Sequence, residues 1–231
     1  LDAAARGFSV VLVESHDFAK GTSSRATKLV HGGVRYLAQG DIGLVHEALH
    51  ERSTLLANAP QVAQRLGFVV PAYRLLDLPF YGAGLKAYDV LAGRHGLGPT
   101  EMLSPGRTQQ LLPTVRRQGL VGGIRYWDGQ FDDARLAVLL ARTAIDRGAV
   151  LLNHCAVTGL LLDGGKVRGL QARDAESGES VTLRARCVVN AAGVWVDAVR
   201  DMDRDRDAPP RPPMVAPSQG VHLVVDRAFL P

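Results

Sequence analysis

Between Gly21 and Leu37 the chain gathers side chains suited to binding and proton chemistry. Thr22, Ser23, Ser24 and Thr27 supply hydroxyls, Arg25, Lys28 and Arg35 supply fixed cations, and His31 stands among the small residues Gly21, Ala26, Gly32 and Gly33. Small residues let backbone approach a flat or anionic ligand closely. Arginine presents a planar fork of donors that matches a phosphate. Histidine, with an ordinary pKa of about 6.5, suits proton transfer near neutrality.

A different chemistry is written at His46-Glu-Ala-Leu-His50, which matches H-E-x-x-H. Two histidines four apart share one helix face and suit zinc, with Glu47 as the base. The third ligand such a centre needs is not evident, because His31 and Glu51 have no recognised spacing to it. Glu47, Glu51 and Arg52 also read as an ordinary charged helix surface. A third group is dispersed. Glu14 ends an apolar run, where dinucleotide folds place an acid against the ribose hydroxyls; a solvated strand-end acid is the alternative. Asn190-Ala-Ala-Gly193 ends another apolar run with a small-residue turn.

The elements that must position these groups alternate between helix and strand. Leu1 to Gly7 reads as the last turns of a helix closed by glycine, and Phe8 to Val13 as a buried parallel strand. Asp41 caps a helix reaching Ala59. Phe68 to Arg74 reads as a strand kept to an edge or bend by Pro71. A loosely patterned helix falls within residues 79–98 and a short one over Ser104 to Leu112. Asp132 or Asp133 caps a helix over Ala134 to Arg147, and a buried strand follows at Ala149 to Leu152. Three strands come next, near Val157–Leu162, Val167–Arg173 and Ser180–Arg186, joined by turns at Asp163-Gly164-Gly165 and Glu176-Ser177-Gly178. Cys187 to Asn190 is predicted to be a buried strand, Val194 to Met202 a helix, Asp201 to Pro213 an exposed loop, and Val221 to Asp226 a strand.

The 231 residues allow one large domain or two small ones, and 46% hydrophobic content is ample for a core. A net charge of +4 without a block of like charges argues against a nucleic-acid partner. Cys155 and Cys187 have no metal or redox spacing and read as two buried thiols in a reducing compartment. No apolar run approaches the roughly 20 residues that span a bilayer, so membrane association would be peripheral or carried by a segment outside this stretch.

Several stretches carry a family likeness. They are Leu1-Asp-Ala-Ala-Ala-Arg-Gly7, Leu12-Val-Glu14, Asp17-Phe18, Gly21-Thr-Ser-Ser-Arg25, Lys28-Leu-Val-His-Gly-Gly-Val-Arg-Tyr-Leu37 and Glu47-Ala-Leu-His-Glu-Arg52. Further along come Tyr126-Trp-Asp-Gly-Gln-Phe-Asp-Asp-Ala-Arg135 and Val188-Val-Asn-Ala-Ala-Gly193. Together they resemble the FAD-dependent glycerol-3-phosphate dehydrogenases, within the glycine-oxidase and D-amino-acid-oxidase-like flavoproteins. The resemblance implies an α/β, FAD-binding Rossmann-like fold. Its discontinuous FAD domain would span residues 1–37 and 133–202, lacking the N-terminal strand and G-x-G-x-x-G turn. Part of an α+β substrate domain would span 38–132 and 203–231. The chain is thus expected to be truncated at both ends, and alone to bind FAD poorly with little or no activity.

The implied reaction is oxidation of sn-glycerol 3-phosphate to dihydroxyacetone phosphate by hydride transfer to FAD. Electrons would pass to a membrane quinone, with oxygen as the alternative acceptor. The resemblance gives Arg35 the substrate phosphate, His31 the role of base or hydroxyl-orienting group, and Tyr36 a hydroxyl donor, with core packing as the alternative for Tyr36. Toward FAD it implies Glu14, Thr22, Ser23, Ser24, Lys28, Leu29, His31, Ala156, Val157, Ala191, Gly193 and Trp195, and no metal ligands. It makes His46 and His50 part of a metal-free family helix. A cytoplasmic site follows, at the inner face of the cytoplasmic membrane if attachment is peripheral, and a homodimer is allowed. A zinc hydrolase and a non-catalytic flavin binder are the competing readings.

Overall fold

The computed structural model describes residues 1–37, 39–204, 209–226 and 228–229, with the side chain of Arg35 outside that description. In chain order the elements are α1 (Asp2–Ala5), β1 (Val11–Val13), β2 (Leu29–Val30), α2 (Val34–Leu37), α3 (Ile42–Asn58), β3 (Ala63–Ala72), α4 (Asp77–Ala92), β4 (Glu101–Leu103), α5 (Pro105–Leu111) and β5 (Gly122–Phe131). Then follow α6 (Asp133–Asp146), β6 (Val150–Leu152), β7 (Cys155–Asp163), β8 (Lys166–Asp174), β9 (Ser180–Arg184) and α7 (Val196–Arg200). Two compact units divide them: residues 1–22 with 137–223, and residues 23–136 with 224–231.

Helix starts obey local capping chemistry. Asp41 accepts from Leu44 N–H at 3.1 Å, Ser104 from Arg107 N–H at 3.2 Å, and Asp132 from Arg135 N–H at 3.1 Å. Each satisfies one of the orphan donors of a first helical turn. Gly148 closes α6 with φ +84°, a conformation costly for a residue with a Cβ.

In the first unit β1 and β6 pair in parallel, Val11 to Val150 through Val13 to Leu152. Ala4, Ala144 and Ala149 pack with Val10 and Leu151 as a small core, so α1 and α6 meet the ribbon through alanines. The expectation of fully buried strands fails here. Val11, Leu12 and Val150 are exposed, because a two-stranded ribbon leaves much of its apolar surface uncovered. The predicted meander is present as β7-β8-β9. Its first turn holds Gly164 and Gly165 at φ +56° and +73°, between the paired residues Asp163 and Lys166. That is a two-residue hairpin whose left-handed turn matches the strand twist.

Two predicted strands are absent. Cys187 to Asn190 and Val221 to Asp226 carry no strand pairing, with Val189 80% and Val224 97% exposed, and Cys187, unlike Cys155, is exposed rather than buried as expected. An apolar run becomes a strand only where another strand meets its N–H and C=O groups. Among the described residues none does.

The second unit is built on β5. It pairs with β3 over ten residues, Ala63 to Phe131 through Ala72 to Gly122, while β2 and β4 share its other edge. β3 is an edge strand, as Pro71 requires. β5 was not foreseen as a strand, since Gly122-Gly-Ile-Arg-Tyr-Trp-Asp-Gly-Gln-Phe131 lacks alternation. Its glycines answer to neighbours: a Cβ on Gly129 would lie 2.6 Å from Val30 Cγ1, and one on Gly123 2.8 Å from Thr108 Oγ1. Against the sheet, α3 and α4 bury Val45, Leu49, Tyr88 and Ala92, joined by Val34, Leu37 and Tyr126.

Candidate cofactor and substrate site

His31 sits between β2 and α2, and a buried polar network holds the backbone beside it. Asp128, on the inward side of β5, accepts Gly32 N–H at 3.2 Å, Arg52 Nη1 at 2.8 Å and the Tyr88 hydroxyl at 3.1 Å. Arg52 also donates through Nη2 to His95 O at 2.9 Å. Arg52 is 1% and Asp128 2% exposed. The reading of Arg52 as helix surface is therefore wrong. It is an internal cation matched by one carboxylate and by backbone carbonyls, which is how a buried charge survives desolvation. Burial, then the Asp128 charge, pushes the Tyr88 hydroxyl far above its usual range, so it stays protonated and donates.

Gly32 is required by this packing. A Cβ there would stand 2.3 Å from Tyr88 Oη and 2.5 Å from Leu49 Cδ2. The expectation that Gly32 clears space for a ligand ring is replaced by one in which it clears space for Tyr88 and Leu49. The consequence for His31 is direct. Its Nδ1 accepts Gly33 N–H at 3.2 Å, so the proton of the neutral ring sits on Nε2. His31 is exposed, as is Tyr36, while Gly33 is buried with φ +71°. Arg35 occupies the same short helix, α2, and its side chain lies outside the described residues.

One turn upstream, Lys28 takes a left-handed backbone at φ +59° and pairs with the buried Asp133. Asp133 also accepts Ala26 N–H at 3.0 Å and Ala134 N–H at 2.8 Å. Burial alone would raise its pKa, but the Lys28 and backbone donors outweigh that and lower it. The loop is thereby tied to the start of α6. Lys28 and Leu29 line a cavity with Thr27 and Phe131. Ser23 is exposed and Ser24 half-buried in the short 3-10 turn Thr22–Ser24, within which the boundary between the two units falls.

In the first unit Glu14 leaves β1 with its backbone bonded on both sides, N–H to Leu152 O at 2.8 Å and O to Cys155 N–H at 2.8 Å. This puts it beside Ala156 and Val157 at the start of β7. Its carboxylate accepts His16 N–H at 3.0 Å and the Ser15 hydroxyl at 3.3 Å, both on Oε1. At the other locus Asn190 staples the small-residue turn, donating to Val196 O at 2.8 Å and accepting Ala192 N–H at 3.3 Å. Gly193 takes φ +59°, and Ala191, Gly193 and Trp195 are exposed. Trp195 lies against Gly21, within 3.7 Å of where its Cβ would be.

The donor set of this unit fits a flavin dinucleotide. Glu14 takes its local donors on Oε1, which leaves Oε2 able to accept a hydroxyl. Thr22 exposes a hydroxyl, and Ala191 to Trp195 offers thin backbone beside a flat apolar side chain. The H-E-x-x-H face looks different. His50 Nδ1 lies 3.2 Å from His95 Nε2, which also accepts from Arg94 Nε at 3.3 Å. Among the described residues no group of three or more His, Cys, Asp or Glu side chains is arranged to hold a metal.

Asp128, Tyr88 and Asp133 were missed as supports of the site. The sequence signal was faint: Asp128 lies in the stretch quoted for its family likeness without a role, and Asp133 was read there only as an alternative helix cap.

Residues 1–230 match the family described as DAO, FAD dependent oxidoreductase. The chain is 43% identical over 244 residues to the mitochondrial glycerol-3-phosphate dehydrogenase of Rattus norvegicus, covering 100% of this chain and 33% of that protein. The glycerol-3-phosphate dehydrogenase of Bacillus halodurans, solved in complex with FAD, superposes with a TM-score of 0.66 at 36% identity, over 88% of this chain and 33% of that one. The glycine oxidase of Geobacillus kaustophilus shares the fold, with a TM-score of 0.62 at 23% identity over 87% of this chain and 53% of that one. The chain spans about a third of the length of the rat relative.

Proposed function

Because the chain belongs to the FAD-dependent oxidoreductase family across residues 1–230, we propose that its protein oxidises sn-glycerol 3-phosphate to dihydroxyacetone phosphate. The observation that carries this reading is 43% identity, over the whole of this chain, to a glycerol-3-phosphate dehydrogenase. Bound FAD would supply the hydride acceptor. Glu14, Thr22, Ser23, Ser24, Lys28, Leu29, His31, Ala156, Val157, Ala191, Gly193 and Trp195 would hold it. Residues 1–37 and 133–202 serve the cofactor and 38–132 with 203–231 the substrate domain, although 23–37 pack with β5.

The remaining chemistry belongs to residues 31–36. Arg35 neutralises the substrate phosphate with a bidentate fork. His31 meets the C2 oxygen through Nε2. With Nδ1 engaged by Gly33 N–H, the neutral ring acts as a donor that orients this oxygen. The C2 hydroxyl proton released as the hydride leaves needs an acceptor, and His31 takes it at Nε2 in the other tautomer, with loss of that bond. Tyr36, on an exposed turn of α2, adds a hydroxyl donor. The Asp128–Arg52–Tyr88 network holds Gly32, and with it the approach of His31, to one geometry.

We assign a membrane quinone as the electron acceptor, peripheral attachment to the membrane and a homodimeric state to the whole protein. The test is anaerobic reduction of the whole protein by glycerol 3-phosphate, followed by reoxidation with quinone or oxygen. Bleaching of the flavin and faster recovery with quinone are expected. An unchanged flavin spectrum at saturating substrate would refute the substrate assignment.

A further inference from the structure

Helix α4 is apolar on the side it shows to solvent as well as on the side it buries. Gly82, Leu85, Tyr88 and Ala92 face the protein. Outward lie Phe80, Ala83, Ala87 and Val90, all exposed. The turn before it adds Leu75 and Leu76, which with Phe80 are 77%, 79% and 74% exposed. The Phe80 and Tyr81 rings stack edge to face at 5.3 Å. Scattered exposed leucines need no explanation, but a contiguous apolar face of this kind marks a contact.

Cations gather at the Leu75–Leu76 end of this face, whereas at its far end Val90 shares a cleft with Glu47 and Arg94. Both carboxylates of α4 are turned to backbone: Asp77 accepts from Tyr73 and Arg74 N–H at 3.2 and 2.9 Å, and Asp89 from Thr100 N–H at 2.7 Å. The exposed charge left on the helix is Lys86. Arg74 leads into Leu75. Arg116 stacks on Tyr73 at 4.6 Å, and the Tyr73 hydroxyl donates to Arg116 O, which brings exposed Arg116 and Arg117 to the same end. Sixteen residues rise about 24 Å, short of the roughly 30 Å hydrocarbon core. Among the described residues no helix is long and apolar enough to cross a membrane. An apolar helix face that carries lysine and is flanked by arginine at its Leu75 end suits the plane of an anionic bilayer, with side chains in the acyl boundary and cations at the headgroups.

We propose that the outer face of α4, with Leu75 and Leu76, is the surface by which the protein docks on an anionic lipid bilayer. This rests on the peripheral attachment proposed above and names the segment that carries it. The test uses the whole protein, wild type and with Leu76→Asp plus Phe80→Asp, sedimented with phosphatidylglycerol–phosphatidylcholine vesicles. Dye-linked glycerol 3-phosphate oxidation and the melting temperature serve as controls of fold. The double variant should lose vesicle binding by at least about tenfold while keeping its dye-linked rate and melting temperature. Arg117→Glu should weaken binding to the anionic vesicles. Equal sedimentation of wild type and double variant would overturn the surface and leave membrane attachment standing. A wild type that ignores the vesicles would overturn both. A variant with a lowered melting temperature and lost flavin would place this face inside a protein contact, and the proposal would fall.

Discussion

Replacing Asp128 by alanine removes three contacts at once. Arg52 loses its carboxylate at 2.8 Å, Gly32 N–H its acceptor at 3.2 Å and the Tyr88 hydroxyl its acceptor at 3.1 Å. Both charges are almost wholly out of water. Breaking one side of such a pair costs about 3–5 kcal/mol, because the surviving charge stays desolvated. Each orphaned neutral donor adds about 1–3 kcal/mol unless water reaches it, which places the expected loss toward the upper end, about 5 kcal/mol. In a protein of this size each kcal/mol moves the melting temperature by about 2–4 °C, so the midpoint should fall by about 10–20 °C. Asp128→Asn keeps the shape and an acceptor oxygen and should cost roughly half as much. Replacing both partners, Arg52→Met with Asp128→Leu, should cost less than Asp128→Ala, since no unpaired charge remains. Thermal unfolding followed by circular dichroism reads all three. An Asp128→Ala variant within about 1 kcal/mol of wild type would match a solvated surface pair and refute the reasoning.

Further outcomes follow from the same site. Gly32→Ala should lower stability by about 1–3 kcal/mol through overpacking against Tyr88 and Leu49, read as a lower melting temperature. Tyr88 has its folded pKa raised above the ordinary 10.0, so the stability it contributes is whole below that pH and is lost as pH rises above it. Tyr88→Phe should therefore flatten the alkaline limb of a stability–pH profile, and an unchanged limb would count against the buried donor role. Asp133 has its pKa lowered, so its contribution is present above its ordinary 3.8 and is lost as pH falls below it. Asp133→Asn should reduce the acid sensitivity of the fold. His31→Gln, which retains a donor but cannot serve as the base, should keep more kcat than His31→Ala, by about tenfold in steady-state assays, if orientation of the hydroxyl is the main duty.

Where a structure depends on a few neighbouring residues, it was legible in the chain. The caps Asp41, Ser104 and Asp132 each bond a backbone N–H three residues on, and the Gly164-Gly165 turn acts between adjacent residues. So α3, α5, α6 and the β7–β9 meander appear where spacing placed them. The Gly21–Leu37 stretch was also recognisable as a site, because its mixture of small, cationic and hydroxyl residues suits few other duties. Strand partnership was not legible. Cys187 to Asn190 has a strand's composition and no strand partner among the described residues, whereas β5 has a loop's composition and partners on both edges. Backbone pairing comes from residues far along the chain, as Gly129 shows in meeting Val30 on one side and Arg65 on the other.

The sequence by itself determined the chemistry available at residues 21–37 and the local start and stop of the helices, since both reside in residue type and short spacing. Only the tertiary structure decided how that stretch is held. A surface-looking arginine on α3, an aspartate in an unrecognised strand and a tyrosine on α4 converge on Gly32 N–H. The physical reason is desolvation. A buried charge persists only where opposite charge and donors are brought to it from elsewhere in the fold, and that need selects a convergence that short spacing does not encode.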